Sequence, residues 1–103
     1  MERIEKLHQF LKDNPADSFV QHGLALEYIK LGNDAEARKN FEQLLERQPE
    51  YIGSYYHLGK LLERNNDSDG AIKVYEKGME EAKKKEDHHA YGELRGAFEE
   101  LTF

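Results

Sequence analysis

Five histidines and 21 acidic side chains are the residues of this sequence that could hold a metal or move a proton. Two ligands converge on one ion from a helix when they stand a turn apart, and the sequence contains no His-x-x-x-His or His-Glu-x-x-His pair. The adjacent His88 and His89 would point about 100° apart on a helix. With no cysteine there is no thiolate ligand, thiol nucleophile or disulfide framework. The carboxylates fall on polar helix faces opposite apolar stripes, where they are solvated instead of paired for acid–base work. In "EEAKKKED", Glu80 with Lys84 and Glu81 with Lys85 have the i, i+4 spacing that supports an exposed helix. No catalytic constellation emerges, so the chain is expected to be no enzyme and to need neither metal nor cofactor.

The elements that carry these residues are bounded by length and charge. A chain of 103 residues fits a single core. Charged residues make up 35% of it, yet apolar residues recur at helical intervals, which predicts amphipathic helices instead of a disordered polar chain. The net charge of -6 argues against the clustered cation surface that nucleic acid requires. No apolar run approaches the 18 or so residues of a membrane span, and "MERIEKLHQFLKDN" lacks the core of a signal peptide. A cytoplasmic location is the resulting expectation.

Those helices repeat. At a spacing of 34 residues Leu7 maps to Phe41 and Tyr75, Leu11 to Leu45 and Met79, Phe10 to Leu44, and Pro15 to Pro49. Leu24 maps likewise to Leu58, Tyr28 to Leu62, Gly32 to Asn66 and Ala37 to Ala71. Gly32 and Asn66 follow apolar segments, where a helix ends readily in a left-handed residue. Asp34 and Ser68 are the expected caps of the helices that follow. Ala37 and Ala71 would let paired helices approach closely, as would Ala25 and Gly59 on the opposite helix. Proline has no amide hydrogen and disfavours helix at the preceding residue, so Pro15 and Pro49 end one hairpin before the next begins.

The pattern resembles the tetratricopeptide repeat. Residues 18–51 carry Leu24-Ala25, Tyr28, Ala37, Phe41 and Pro49, with Gln21 where the family has an aromatic. Residues 52–85 carry Tyr55, Leu58-Gly59, Leu62, Ala71 and Tyr75, with Lys83 in place of the proline, so the last helix of that unit is expected to run on through "EEAKKKED". Residues 2–14 read as the second helix of an incomplete leading unit. Residues 88–101, in a register slipped by two, read as a capping helix with the stripe Tyr91, Leu94, Phe98 and Leu101. The expected architecture is one all-α domain over residues 1–103, a helical-hairpin repeat solenoid of about six antiparallel helices.

The resemblance implies a concave groove lined by the first helix of each unit. Phe19, His22, Leu26, Ile29 and Lys30 would face it from the first unit, and Gly53, Tyr56, His57, Lys60 and Arg64 from the second. His89, Gly92 and Gly96 would face it from the last helix. Such a lining suits an extended peptide or a partner helix, with Tyr56 as the preferred anchor. Phe19, Leu26 and Ile29 could equally pack on a neighbouring helix. The family's clamp for acidic chaperone tails uses Lys, Asn, Asn, Lys and Arg; this chain has His22, Leu26, His57, His89 and Glu93 at those places, so the clamp is absent. Two glycines one turn apart cost a helix about 1 kcal/mol each. Gly92 and Gly96 therefore mark either a face that a partner approaches closely or a frayed terminal helix. The expected function is non-catalytic binding of a protein or peptide. The alternative is self-association, for instance as a homodimer, through Ile4, Leu7, Phe10 and Leu11 of the leading helix; a small-molecule or metal-dependent enzyme ranks behind both.

Overall fold

The computed structural model describes residues 2–103, the side chain of Glu2 excepted. Six helices account for most of these residues: α1 (Glu2–Asp13), α2 (Ser18–Lys30), α3 (Asp34–Arg47), α4 (Gly53–Arg64), α5 (Ser68–Lys84) and α6 (His88–Thr102). The fold is an all-α helical repeat, with no strand among the described residues. The helices form two compact units, one ending at Gln48 and the other spanning Pro49–Phe103. In the first, α2 packs on both α1 and α3; in the second, α5 packs on both α4 and α6, and α4 touches α6.

Three of the turns share one mechanism. Gly32, Asn66 and Glu86 have φ of 76°, 65° and 56°. After each, the next amide reaches back five residues: Asn33 to the Tyr28 carbonyl at 2.8 Å, Asp67 to Leu62 at 2.8 Å, and Asp87 to Ala82 at 2.9 Å. A left-handed residue followed by this long backbone bond satisfies carbonyls that the helix end would otherwise strand. Gly32 and Asn66 are the residues expected there. Glu86 is not a residue type that signals the conformation, and it stops α5 short of the full "EEAKKKED" segment.

The caps sit one residue earlier than the sequence suggested. Asn33 Oδ1 accepts from the Glu36 amide at 3.3 Å, and Asp67 Oδ1 from the Gly70 amide at 2.9 Å. Asp34 and Ser68 are instead the first residues of their helices. The reason is the tightness of the turn: only one residue separates the helix C-cap from the next cap, and the left-handed residue takes that place. Asp17 and Asp87 cap α2 and α6 the same way, at 3.0 and 3.1 Å. Helix α4 has no side-chain cap. Its first turn is tied down by the Tyr55 hydroxyl, which donates to the Pro49 carbonyl at 2.6 Å.

Small residues let the helices of each unit close on large ones. Ala25, Ala37 and Phe41 are fully buried in the first unit, Ala71, Tyr75 and Ala82 in the second. A β-carbon at Gly59 would fall on the Tyr75 ring, and one at Gly78 would lie 2.7 Å from Tyr55 Cβ. The tail of α5 is only partly solvated: Glu81 is 6% exposed beside buried Ala82. Glu81 pairs with Lys77 at 3.1 Å and Lys84 at 3.4 Å, one turn before it and one turn after, and not with the expected Lys85. Helix α1 is uneven. Ile4 is 5% exposed whereas Phe10 is 46% exposed, although its counterpart Leu44 is fully buried.

Candidate partner-binding face

In α2 the expected groove residues share one side of the helix. Phe19, His22, Leu26 and Lys30 recur at three- and four-residue intervals, opposite the buried Leu24 and Ala25. Phe19 is 77% exposed. Leu26 and Ile29 are half-buried, and Lys30 reaches Glu27 at 3.8 Å. His22 turns its ring toward the core, edge-on to Phe41 with centroids 5.7 Å apart. The helix is thus apolar on two sides, one buried against α1 and α3 and one reaching solvent at Phe19.

The second unit gathers its candidates more closely. Tyr56 lies under the Lys60 ammonium, 5.6 Å from ring centroid to nitrogen, and meets the His57 ring edge-on at 6.0 Å. A cation over an aromatic face gains from the ring quadrupole, which stiffens both side chains. Lys60 also lies 3.6 Å from Glu63 and 4.0 Å from Glu100, the latter joining α4 to α6. Glu63 in turn accepts a short hydrogen bond from the buried Tyr75 hydroxyl. Burial and this carboxylate push the Tyr75 phenol well above its ordinary range. His57 is half-buried, and burial holds its pKa below the usual value of 6.5 against the opposing pull of Glu93. Arg64 is exposed at the end of the same stripe.

Gly92 and Gly96 lie exposed on α6, and a β-carbon at either would meet nothing within 4 Å. No neighbouring element therefore demands a glycine at these positions. Sequence reasoning missed Glu63 and Glu100 as members of the face. The three-residue spacing of Lys60 and Glu63 signals the first; Glu100 comes from another helix and has no local signal. Among the described residues no group of three His, Asp or Glu side chains could hold a metal, and no helix is long and apolar enough to cross a membrane.

Tetratricopeptide repeat models match residues 18–51 and residues 52–85, two adjoining blocks of the period seen in the sequence. The chain belongs to the tetratricopeptide repeat family. A tetratricopeptide repeat domain protein from Salinibacter ruber is similar in its crystal structure, with 40% identity, a TM-score of 0.79, and coverage of 84% of this chain and 96% of that one. Its solution structure gives a TM-score of 0.81 at the same identity, over 84% of this chain and 88% of that one. A TPR repeat-containing protein of Pseudomonas aeruginosa is 26% identical over 91 residues, 88% of this chain and 87% of its own. Tetratricopeptide repeats generally act as scaffolds for protein–protein interaction and are typically non-catalytic.

Proposed function

We propose that the chain is a non-catalytic scaffold that binds an extended peptide or helix of a partner protein on the faces carried by the first helix of each repeat. The observation that carries this reading is the arrangement around Tyr56. A rigid aromatic, half-buried and stiffened by Lys60, stands on the face of α4 that the Lys60–Glu100 pair joins to α6. Aromatic anchors of this kind give large contact area for little loss of side-chain freedom. Lys60 adds a charge that fixes direction, since it already bridges carboxylates on two helices and would exchange one for a partner's. Phe19, Leu26 and Lys30 on α2 provide apolar contact with a cation at one end.

Selection from a random peptide library tests it. The intact chain should enrich a consensus sequence, and the Tyr56→Ala/Lys60→Ala double variant should not enrich it, while both give the same helical circular dichroism. Enrichment of the same consensus by both proteins would contradict the proposal.

A further inference from the structure

On the second unit, α5 and α6 enclose a cleft along the edge of α6 opposite Glu100, which meets Lys60 of α4. Met79, Tyr91 and Phe98 form its apolar floor, Glu76, Glu80 and Lys83 its rim, and its volume is about 350 Å³. A second depression of about 210 Å³ shares Lys83 and Tyr91 and adds the carboxylates of Glu86 and Asp87. The cleft is therefore apolar below and mainly acidic above.

We propose that this cleft takes helix α1 of a second copy of the chain, head to tail. Tyr91, Leu94 and Phe98 correspond to Tyr55, Leu58 and Leu62 of α4 at the repeat period plus the two-residue slip. In α4 that edge receives the second helix of its own hairpin, α5. The matching edge of α6 beyond Leu94 is covered by no helix among the described residues. Helix α1 is the complementary piece, because Leu7 and Leu11 occupy the places of Tyr75 and Met79 in α5. It leaves Phe10 46% exposed where the counterpart Leu44 is fully buried. Arg3 and Lys6 stand on the same side of α1 as Phe10, at spacings of seven and four, and Arg3 is engaged with Glu27 of α2 at 2.8 Å. Docking Phe10 on Met79, Tyr91 and Phe98 brings Lys6 to the Glu76 and Glu80 rim.

The contact joins two different surfaces, so it is heterologous and builds chains or closed rings instead of a symmetric dimer. It is also weak. Arg95, paired with Glu99 at 2.9 Å, stands where Gly59 permits the close crossing of α4 and α5, so a docked helix sits farther out. This surface is separate from the Tyr56 face and does not depend on it.

Sedimentation with complementary variants tests the proposal. The unaltered chain should rise above its 12.0 kDa monomer mass as concentration approaches about 1 mM, the weak end of specific association. Phe10→Glu, which blocks the head, and Glu76→Lys/Glu80→Lys, which blocks the tail, should each remain monomeric with unchanged circular dichroism. Lys6→Glu, at an exposed residue, is the second head variant should Phe10→Glu perturb folding. An equimolar mixture of a head and a tail variant should form one species of twice the monomer mass and nothing larger. A monomeric parent chain at every concentration, a mixture that stays monomeric, or variants that associate like the parent would each overturn it.

Discussion

Gly59 lies flat against the ring of Tyr75, with no room between them for a β-carbon. This contact sets the distance between α4 and α5, and Tyr75 is fully buried as a result. Replacing Gly59 with alanine should gain about 1 kcal/mol of helix propensity and lose more to overpacking. The expected net effect is a loss of about 1 to 2 kcal/mol, read by urea denaturation. An unchanged or raised midpoint would show that the Tyr75 ring moves aside freely.

Gly92 and Gly96 should behave in the opposite way. Each is helical and exposed, with open space where an alanine methyl group would sit, so alanine should stabilise the chain by about 1 kcal/mol at each site. Thermal melts check the direction. If the same variants also weaken binding of a selected peptide, the glycines serve the partner's approach; if binding is untouched, they reflect only a loosely specified helix.

The caps provide a test within a single turn. Asp67→Ala should cost about 1 kcal/mol because it strands the Gly70 amide, whereas Ser68→Ala, one residue later, should change stability by only a few tenths. Equal losses at both positions would contradict the capping geometry.

His57 makes stability depend on pH. Its folded pKa is lowered by burial, so between that value and the ordinary 6.5 the unfolded chain binds the proton more readily. Its contribution is complete above pH 6.5 and is lost as the pH falls below it. Unfolding midpoints measured from pH 7.5 downward should therefore decline less in His57→Gln than in the parent chain. Identical pH profiles would show that His57 is not the group responsible.

Much of this fold was readable from residue spacing because the same mechanical need recurs every 34 residues. Gly32 and Asn66 announce their turns because their types tolerate a left-handed backbone. Glu86 adopts the same backbone without such a signal, so the end of α5 was legible only from its successor, Asp87. Residue type does not place the caps to the residue, because Asn33 and Asp34 are both competent and the turn's backbone decides between them. On the candidate face, Tyr56, His57 and Lys60 follow from helical periodicity. Their link to Glu100 depends on how α4 meets α6, which no local pattern encodes. The exposure of Phe10 was hidden for a similar reason: its spacing is that of a core residue, and only the packing of α1 shows what is missing beside it.

The most direct test of the binding proposal is the affinity of a library-selected peptide for the chain before and after Tyr56→Ala, measured by titration calorimetry alongside thermal unfolding. The account predicts at least tenfold weaker binding, about 1.4 kcal/mol, with a nearly unchanged melting temperature. Undiminished affinity, or a loss of affinity that merely follows unfolding, would contradict it.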